Sequence, residues 1–398
     1  MSPLLLRHFT ATSCIGRGLA QTVASLRAQR SGLTPCAFET VQLDTYVGEV
    51  PDVDEQILPA PLRRFDCRNN RLAQLGLRQD GFQEAVRESA GRWGPRRMGL
   101  ILGTSTSGML ATELAYRRRD PATGALPADF DYAATQNAYS LADFAQQLLG
   151  LEGPATVIST ACSSSAKAFG AAWRMIEAGL IDAAVVGGVD SLCLTTLYGF
   201  HSLQLISTAP CRPFDAARDG ISIGEAAAFA LLERAPASVE AGAILLTGCG
   251  ESSDAHHMSA PHPQGRGARQ AMQQALAMAH LTPADIDYIN LHGTGTPSND
   301  AAEGCAVRDL FGPSVRASST KGATGHTLGA AGALEAVICA LALTHRLLPG
   351  SAHTGQVDPA TGFEYLRESR AEERLRRVLS NSFGFGGSNC TLVLERAA

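Results

Sequence analysis

The chain has 398 residues, 45% of them hydrophobic and 18% charged, with a formal net charge of −5. That length buries a large core and suggests two domains or one duplicated one, and 40 glycines with few aromatics suit an α/β protein rich in tight turns. The slight negative charge gives no ground for expecting nucleic-acid or membrane partners.

In chain order, residues 4 to 50 predict an opening strand, a helix around 16 to 29 and an irregular segment ending at the LPAPL of 58 to 62. RRFDCRNNR follows, with Arg63, Arg64, Arg68 and Arg71 within nine residues, a grouping that usually marks a solvated helix face. Met98 to Gly103 reads as a buried strand closing in the turn TSTSG, which contains Thr106. Arg117 to Arg119 form a second basic cluster, and 121 to 150 turn from loop to helix. The next stretch, TVISTACSSSAKAFGAAWRMIEAGLIDAAVVGGVD from Thr156 to Asp190, has the pattern strand, turn, helix, strand. Cys162 sits at its turn. There the helix dipole and free amides favour a thiolate, so the spacing predicts a nucleophilic cysteine with an opened helix mouth in CSSS. The competing reading is a small cysteine packed under a helix.

APCRPFDAARDGISIGE then reads as a surface loop before a buried run at Ala226 to Leu232, and the Pro- and Ala-rich 235 to 241 divides an N-terminal half, 1–240, from a C-terminal half, 241–398. In the second half a strand over Ile286 to Leu291 delivers His292, Thr294 and Thr296 in HGTGT. Lys321 and His326 lie in a glycine-rich turn that opens a helix over Leu328 to Leu343, and NSFGFGGSN, with Phe383 and Phe385, forms a flexible loop near the end. Zinc is an alternative for Cys162, His292 and His326, but no second ligand lies at metal-binding spacing from any of them, and the glycines favour access over a closed cage. The expectation is no metal. Ten scattered cysteines without a CxxC pair suggest a reducing compartment. The three-leucine run near the N-terminus is too short for a signal peptide, and no run approaches the roughly 18 residues of a bilayer span, so a cytoplasmic location with no membrane partner is expected.

TACSSS, NLHGTGTPSND, KGATGHTLGAAG and NSFGFGGSN, in this order, with RPFDAARDG and the SSDAHHM run, resemble the β-ketoacyl-(acyl carrier protein) synthases. The resemblance covers nearly the whole chain, with two departures: the opening turn is only TATSCIG, and GEAAA stands where GEGAG is expected. It implies an α/β thiolase-like fold, two similar halves stacked as five layers α-β-α-β-α, and a homodimer or a heterodimer with a homologous chain. It further implies that Cys162 takes an acyl group from a phosphopantetheine thioester and that malonyl delivered on an acyl carrier protein loses CO2 and condenses with it, with no cofactor bound to the enzyme itself. By the same resemblance His292 and His326 stabilise the enolate, Lys321 and Glu303 set the charge of the site, and the amides of Cys162 and Phe385 hold the second oxyanion. Thr294 and Thr296 hold the pantetheine arm, Phe383 and Phe385 gate acyl entry, and Thr106 lines the acyl pocket. Arg63, Arg64 and Arg68 are expected to dock the acidic carrier. FDCRNNRLAQLG and DSLCLTTLYGF resemble the synthases of aryl polyene pigment clusters within that family. Other readings are a non-catalytic chain-length-factor partner, against which Cys162, both histidines and Lys321 are present, and a coenzyme A thiolase, whose second cysteine is replaced by the two-histidine set.

Overall fold

Hydrophobic alternation along the strands decides the architecture. Successive side chains of a strand point to opposite faces, and in Ala183–Asp190 the residues Ala184 and Val186 join one core while Ala183 and Val185 join another. In Ala226–Arg234 the split is Ala228, Ala230 and Leu232 against Ala227, Phe229 and Leu231. In Ser388–Arg396 it is Leu392 and Leu394 against Val393. Strands apolar on both faces must be covered on both sides. The computed structural model, which describes residues 2–398, meets that demand with five layers.

The shared core surrounds two helices, Ser164–Glu177 and Ala331–His345, packed between the two halves of the sheet. Helices Arg68–Leu77 and Ser140–Leu149 cover the outer face of the first half, and Arg266–Ala279 with Pro297–Phe311 that of the second.

Strand order shows the duplication that the amino-acid sequence hides. Across the first half the strands run Ala155–Ile158, Met98–Gly103, Ala183–Asp190, Ala226–Arg234, Leu4–Ser13: third, second, fourth, fifth, first in chain order. Across the second they run Arg316–Ser318, Tyr288–Asn290, Arg377–Gly384, Ser388–Arg396, Ile244–Ser253, the same permutation, with Glu364–Tyr365 added at the edge. Parallel and antiparallel pairings also repeat in step. The halves meet where Leu4 and Leu5 pair with Leu246 and Leu245.

Three sequence expectations are corrected. The RPFDA segment is not a surface loop throughout: Cys211, Phe214 and Asp215 are buried, and Phe214 packs against Phe363 and Tyr365 of the second half. Leu328 to His345 is apolar and long enough to cross a bilayer, but it is the buried central helix with its 3-10 entry, its apolarity explained by contact with both sheets. The helix after the opening strand is shorter than expected, Leu19–Arg27.

Candidate active site

Cys162 stands between Ala155–Ile158 and Ser164–Glu177, and the turn is tight enough to force Ala161 to φ +52°. The three serines after it do not open the mouth, as the sequence reading has it. They are fully buried and lock it: Ser163 Oγ donates to Thr160 O at 2.9 Å, and Ser164 Oγ donates to Ala161 O at 2.5 Å while accepting from Thr160 N at 2.8 Å. Ser165 Oγ accepts the amide of Ala333 at 2.9 Å and so ties the nucleophile helix to the central one. A Cβ on Gly103 or Gly188 would lie 2.3 or 2.5 Å from Ser165, which is why glycine stands on these strands where the helix crosses.

Both histidines come from the second half. His292 follows Tyr288–Asn290; its amide and that of Gly293 donate to Glu303 at 2.8 and 2.7 Å. Its carbonyl accepts from Lys321 Nζ at 2.6 Å, and its Nδ1 lies 3.4 Å from the same nitrogen. His326 is held by its own amide on Ser222 O at 2.7 Å and by Gly224 N on its carbonyl at 3.0 Å. Its Nδ1 accepts the Leu328 amide at 3.3 Å, and its Nε2 lies 3.0 Å from Cys162 Sγ. The two rings are nearly perpendicular, with centroids 5.3 Å apart.

These contacts fix protonation. Burial first, then the Lys321 charge, holds both imidazoles well below their ordinary range, so both are neutral. Lys321 Nζ faces Nδ1 of His292 and the Leu328 amide faces Nδ1 of His326, and on that ground we assign the proton of each neutral ring to Nε2, which turns the His326 N–H toward Cys162 Sγ. The ligand atoms of Cys162, His292 and His326 lie within 4.8 Å of one another. A cation, however, would need the Nε2 lone pairs, and a ligating histidine donates its other nitrogen, the reverse of this arrangement.

The thiol departs from the sequence expectation. Burial pushes Cys162 up to about 11, and the charge of Lys321 and the amide of Phe385 offset only part of it. The helix dipole is a smaller effect than removal from water. Alkylation of the free enzyme by iodoacetamide should therefore keep rising about tenfold per pH unit from pH 7 to 9.5, as thiolate accumulates. A plateau below pH 8.5 would contradict it.

Glu303 does not pair with Lys321. The partner is Glu335 of the central helix, which forms a buried ion pair with it. Glu303 instead orders the His292 turn, aided by Asn381 at 3.1 Å, and burial pushes each carboxyl up to about 7. Glu335 lies three residues beyond the KGATGHTLGAAG motif, and among alanines it reads as one polar position on a core helix.

Cys162, both histidines, Thr294, Thr296, Phe383 and Phe385 line one cavity. Thr294 and Thr296 share a 2.9 Å hydroxyl contact. Phe383 packs on His292, and Phe385 packs on Phe200, which the sequence reading did not single out. Thr106 is absent from the lining. It is 1% exposed, and its hydroxyl donates to Asp190 at 2.9 Å and accepts from Ser191 N at 3.2 Å, because the turn closes on that carboxylate rather than on the cavity.

The docking set divides. Arg63 is exposed, and Arg64 is exposed beside Asp143. Arg68 is not a docking residue: it is 5% exposed and paired with Glu225, Glu49 and Asp54, since a buried guanidinium requires carboxylate partners. Glu225 also accepts the amides of Val50 and Leu192 beside the Ile223–Gly224 strand that holds His326.

A cysteine at a helix mouth, facing two imidazoles from the other half of a duplicated five-layer fold, defines a thiolase-like protein. The sequence profiles "Beta-ketoacyl synthase, N-terminal domain" and "Beta-ketoacyl synthase, C-terminal domain" match residues 11–237 and 244–355. The chain belongs to the β-ketoacyl synthase family. It is similar to 3-oxoacyl-[acyl-carrier-protein] synthase 2 of Rhizobium meliloti, 41% identical over 62% of this chain and 62% of that one, so the match spans less than two thirds of that relative. Nodulation protein E of Rhizobium meliloti is 35% identical over 75% and 76%. A solved ketosynthase in complex with its chain length factor, from Xenorhabdus doucetiae, has a TM-score of 0.89 at 38% identity, covering 100% of this chain and 98% of that one.

Proposed function

We propose that the protein is a β-ketoacyl-(acyl carrier protein) synthase that joins an acyl group on Cys162 to malonyl-carrier by decarboxylative Claisen condensation. The observation that carries the reading is the pair of buried imidazoles, each with a donor facing Nδ1, gathered with Cys162 so that the reactive atoms lie within 4.8 Å of one another. The thiol attacks the acyl thioester, forming the acyl-enzyme and releasing the carrier thiol with the cysteine proton. Malonyl then loses CO2, and its electron pair becomes an enolate whose oxygen accepts from His292 and His326. Donors aimed where charge develops lower the barrier because they need no reorganisation. The enolate carbon attacks the acyl carbonyl, whose oxygen falls on the amides of Cys162 and Phe385, and Cys162 leaves as thiolate. Lys321, pinned by Glu335 and the His292 carbonyl, orients its neighbour and keeps it neutral rather than acting as base. The test is condensation with purified acyl- and malonyl-carrier; absence of a β-ketoacyl product would overturn the reading.

The substrates come on the phosphopantetheine of a carrier protein, and the reading gives Thr294 and Thr296, whose hydroxyls line the cavity, the task of holding the arm. The partner chain is a homologous subunit. The similarity to a solved ketosynthase in complex with its chain length factor favours a heterodimer with this chain as the cysteine-bearing member. The FDCRNNRLAQLG and DSLCLTTLYGF resemblance supports an aryl polyene substrate, and ten free cysteines support the cytoplasm. The two functional halves are taken as 1–240 and 241–398.

For docking, Arg63 and Arg64 remain as candidates. Arg63→Glu with Arg64→Glu should raise KM for the carrier several-fold at low salt with kcat unchanged, and the difference should shrink above about 0.1 M salt, where screening reaches 10 Å. Arg68→Ala should instead lower Tm, by leaving Glu225 buried and unpaired. An unchanged carrier KM in the double variant would remove the pair from the interface.

A further inference from the structure

The Thr104–Thr106 turn carries no assigned task, yet it surrounds a carboxylate. Asp190 ends the strand Ala183–Asp190 and is fully buried. Its Oδ1 accepts from Thr104 Oγ1 at 2.7 Å, Ser105 N at 2.8 Å, and the amide and hydroxyl of Thr106, both at 2.9 Å. Its Oδ2 accepts from Ser105 Oγ and from Gly329 N at 2.5 Å. Among the described residues no lysine, arginine or histidine pairs with it. A buried carboxylate without a counter-ion is costly, and here six donors replace water.

Five of those donors come from the first half; the sixth, Gly329, comes from the second. Gly329 lies three residues after His326, and a Cβ there would meet Asp190 Oδ2 at 2.8 Å and Ser105 N at 2.9 Å. Between them, Leu328 has φ +52°, a strained value for a residue with a side chain, which persists only where the surroundings impose it. That conformation aims the Leu328 amide at His326 Nδ1, and Nε2 then faces Cys162 Sγ. A continuous path therefore runs from the carboxylate through a strained turn to the proton that contacts the nucleophile.

We propose that Asp190 is a positioning residue: by gripping the first-half turn and the Gly329 amide together, it holds the Leu328 turn that keeps the His326 proton on Nε2 and the ring in register with Cys162. The proposal rests on the condensing reading for its kinetic consequence but not for its structural one.

The test is Asp190→Asn, which keeps the shape but cannot accept on both edges. Displacing a catalytic group by about 1 Å costs on the order of 100-fold. We expect kcat for condensation to fall by about that factor, with KM for malonyl-carrier within about twofold of wild type. Long-range 1H–15N spectra of histidine-labelled protein, with His326 identified by its loss in His326→Ala, should show Nε2–H in wild type and a tautomer mixture in the variant. If either kcat or the His326 tautomer is unchanged in folded Asp190→Asn, the proposal is overturned. Should Asp190→Asn fail to fold, Gly329→Ala, which pushes the same turn off the carboxylate, is judged by the same two readouts. Wild-type protein that makes no β-ketoacyl product would sink the condensing reading, whereas the tautomer comparison tests the positioning separately.

Discussion

Cys162→Ala is expected to leave no condensation, a loss of at least about 10⁴-fold, because no other group can carry the acyl chain. The fold should survive: the thiol is buried and uncharged, so its removal strands no charge. Cys162→Gln should do more than inactivate. Its amide resembles the acylated side chain, while the two imidazole donors remain, so malonyl-carrier should still lose CO2 without forming a carbon–carbon bond. The checks are product analysis of the alanine variant and CO2 release by the glutamine variant. Condensation by purified Cys162→Ala would remove the covalent mechanism, and a glutamine variant silent in CO2 release would remove the role given to the histidines.

Lys321→Met is expected to damage stability and chemistry together. Lys321 and Glu335 are 1% and 2% exposed, and breaking a buried pair from one side costs about 3–5 kcal/mol by leaving an uncompensated charge. The variant should unfold at markedly lower denaturant concentration, and the companion Lys321→Met with Glu335→Leu should recover much of the loss. Decarboxylation should not recover in the double variant, since nothing then fixes the His292 carbonyl and Nδ1. Equal denaturation midpoints for the single variant and wild type would show that the pair is not the buried contact described.

The chemistry was legible because its groups lie in short glycine-rich stretches, HGTGT, KGATGH and GFGG, whose glycines mark tight turns and close backbone approach around the reactive side chains. The shared core around the central helix was legible only in part, since Ala331–His345, Glu335 apart, is apolar over its buried length and periodicity cannot say which neighbours it meets. What sequence could not supply was partnership across long separations. Arg68 reads as one of four surface arginines until Glu225, 157 positions away, is seen beside it. Lys321 has two candidate carboxylates at similar remove, and only the fold chooses Glu335. Thr106 follows a strand that points at the site, but Asp190, 84 residues on, turns the hydroxyl away. The thiol failed differently: the dipole argument is local, while burial sums everything around it, and the larger effect was invisible from the turn alone.

Cys162 and both imidazoles open onto one cavity, and the hydroxyls of Thr294 and Thr296 line that same cavity. On the proposed reading both carrier arms, acyl and malonyl, would use this one cavity in turn. The first would then depart, leaving its cargo behind, before the second enters, and turnover is expected to follow a ping-pong order with parallel double-reciprocal lines. On that reading a carrier that lingers after unloading would be a rival of malonyl-carrier for the same channel, and high concentrations of the acyl donor are expected to slow the enzyme.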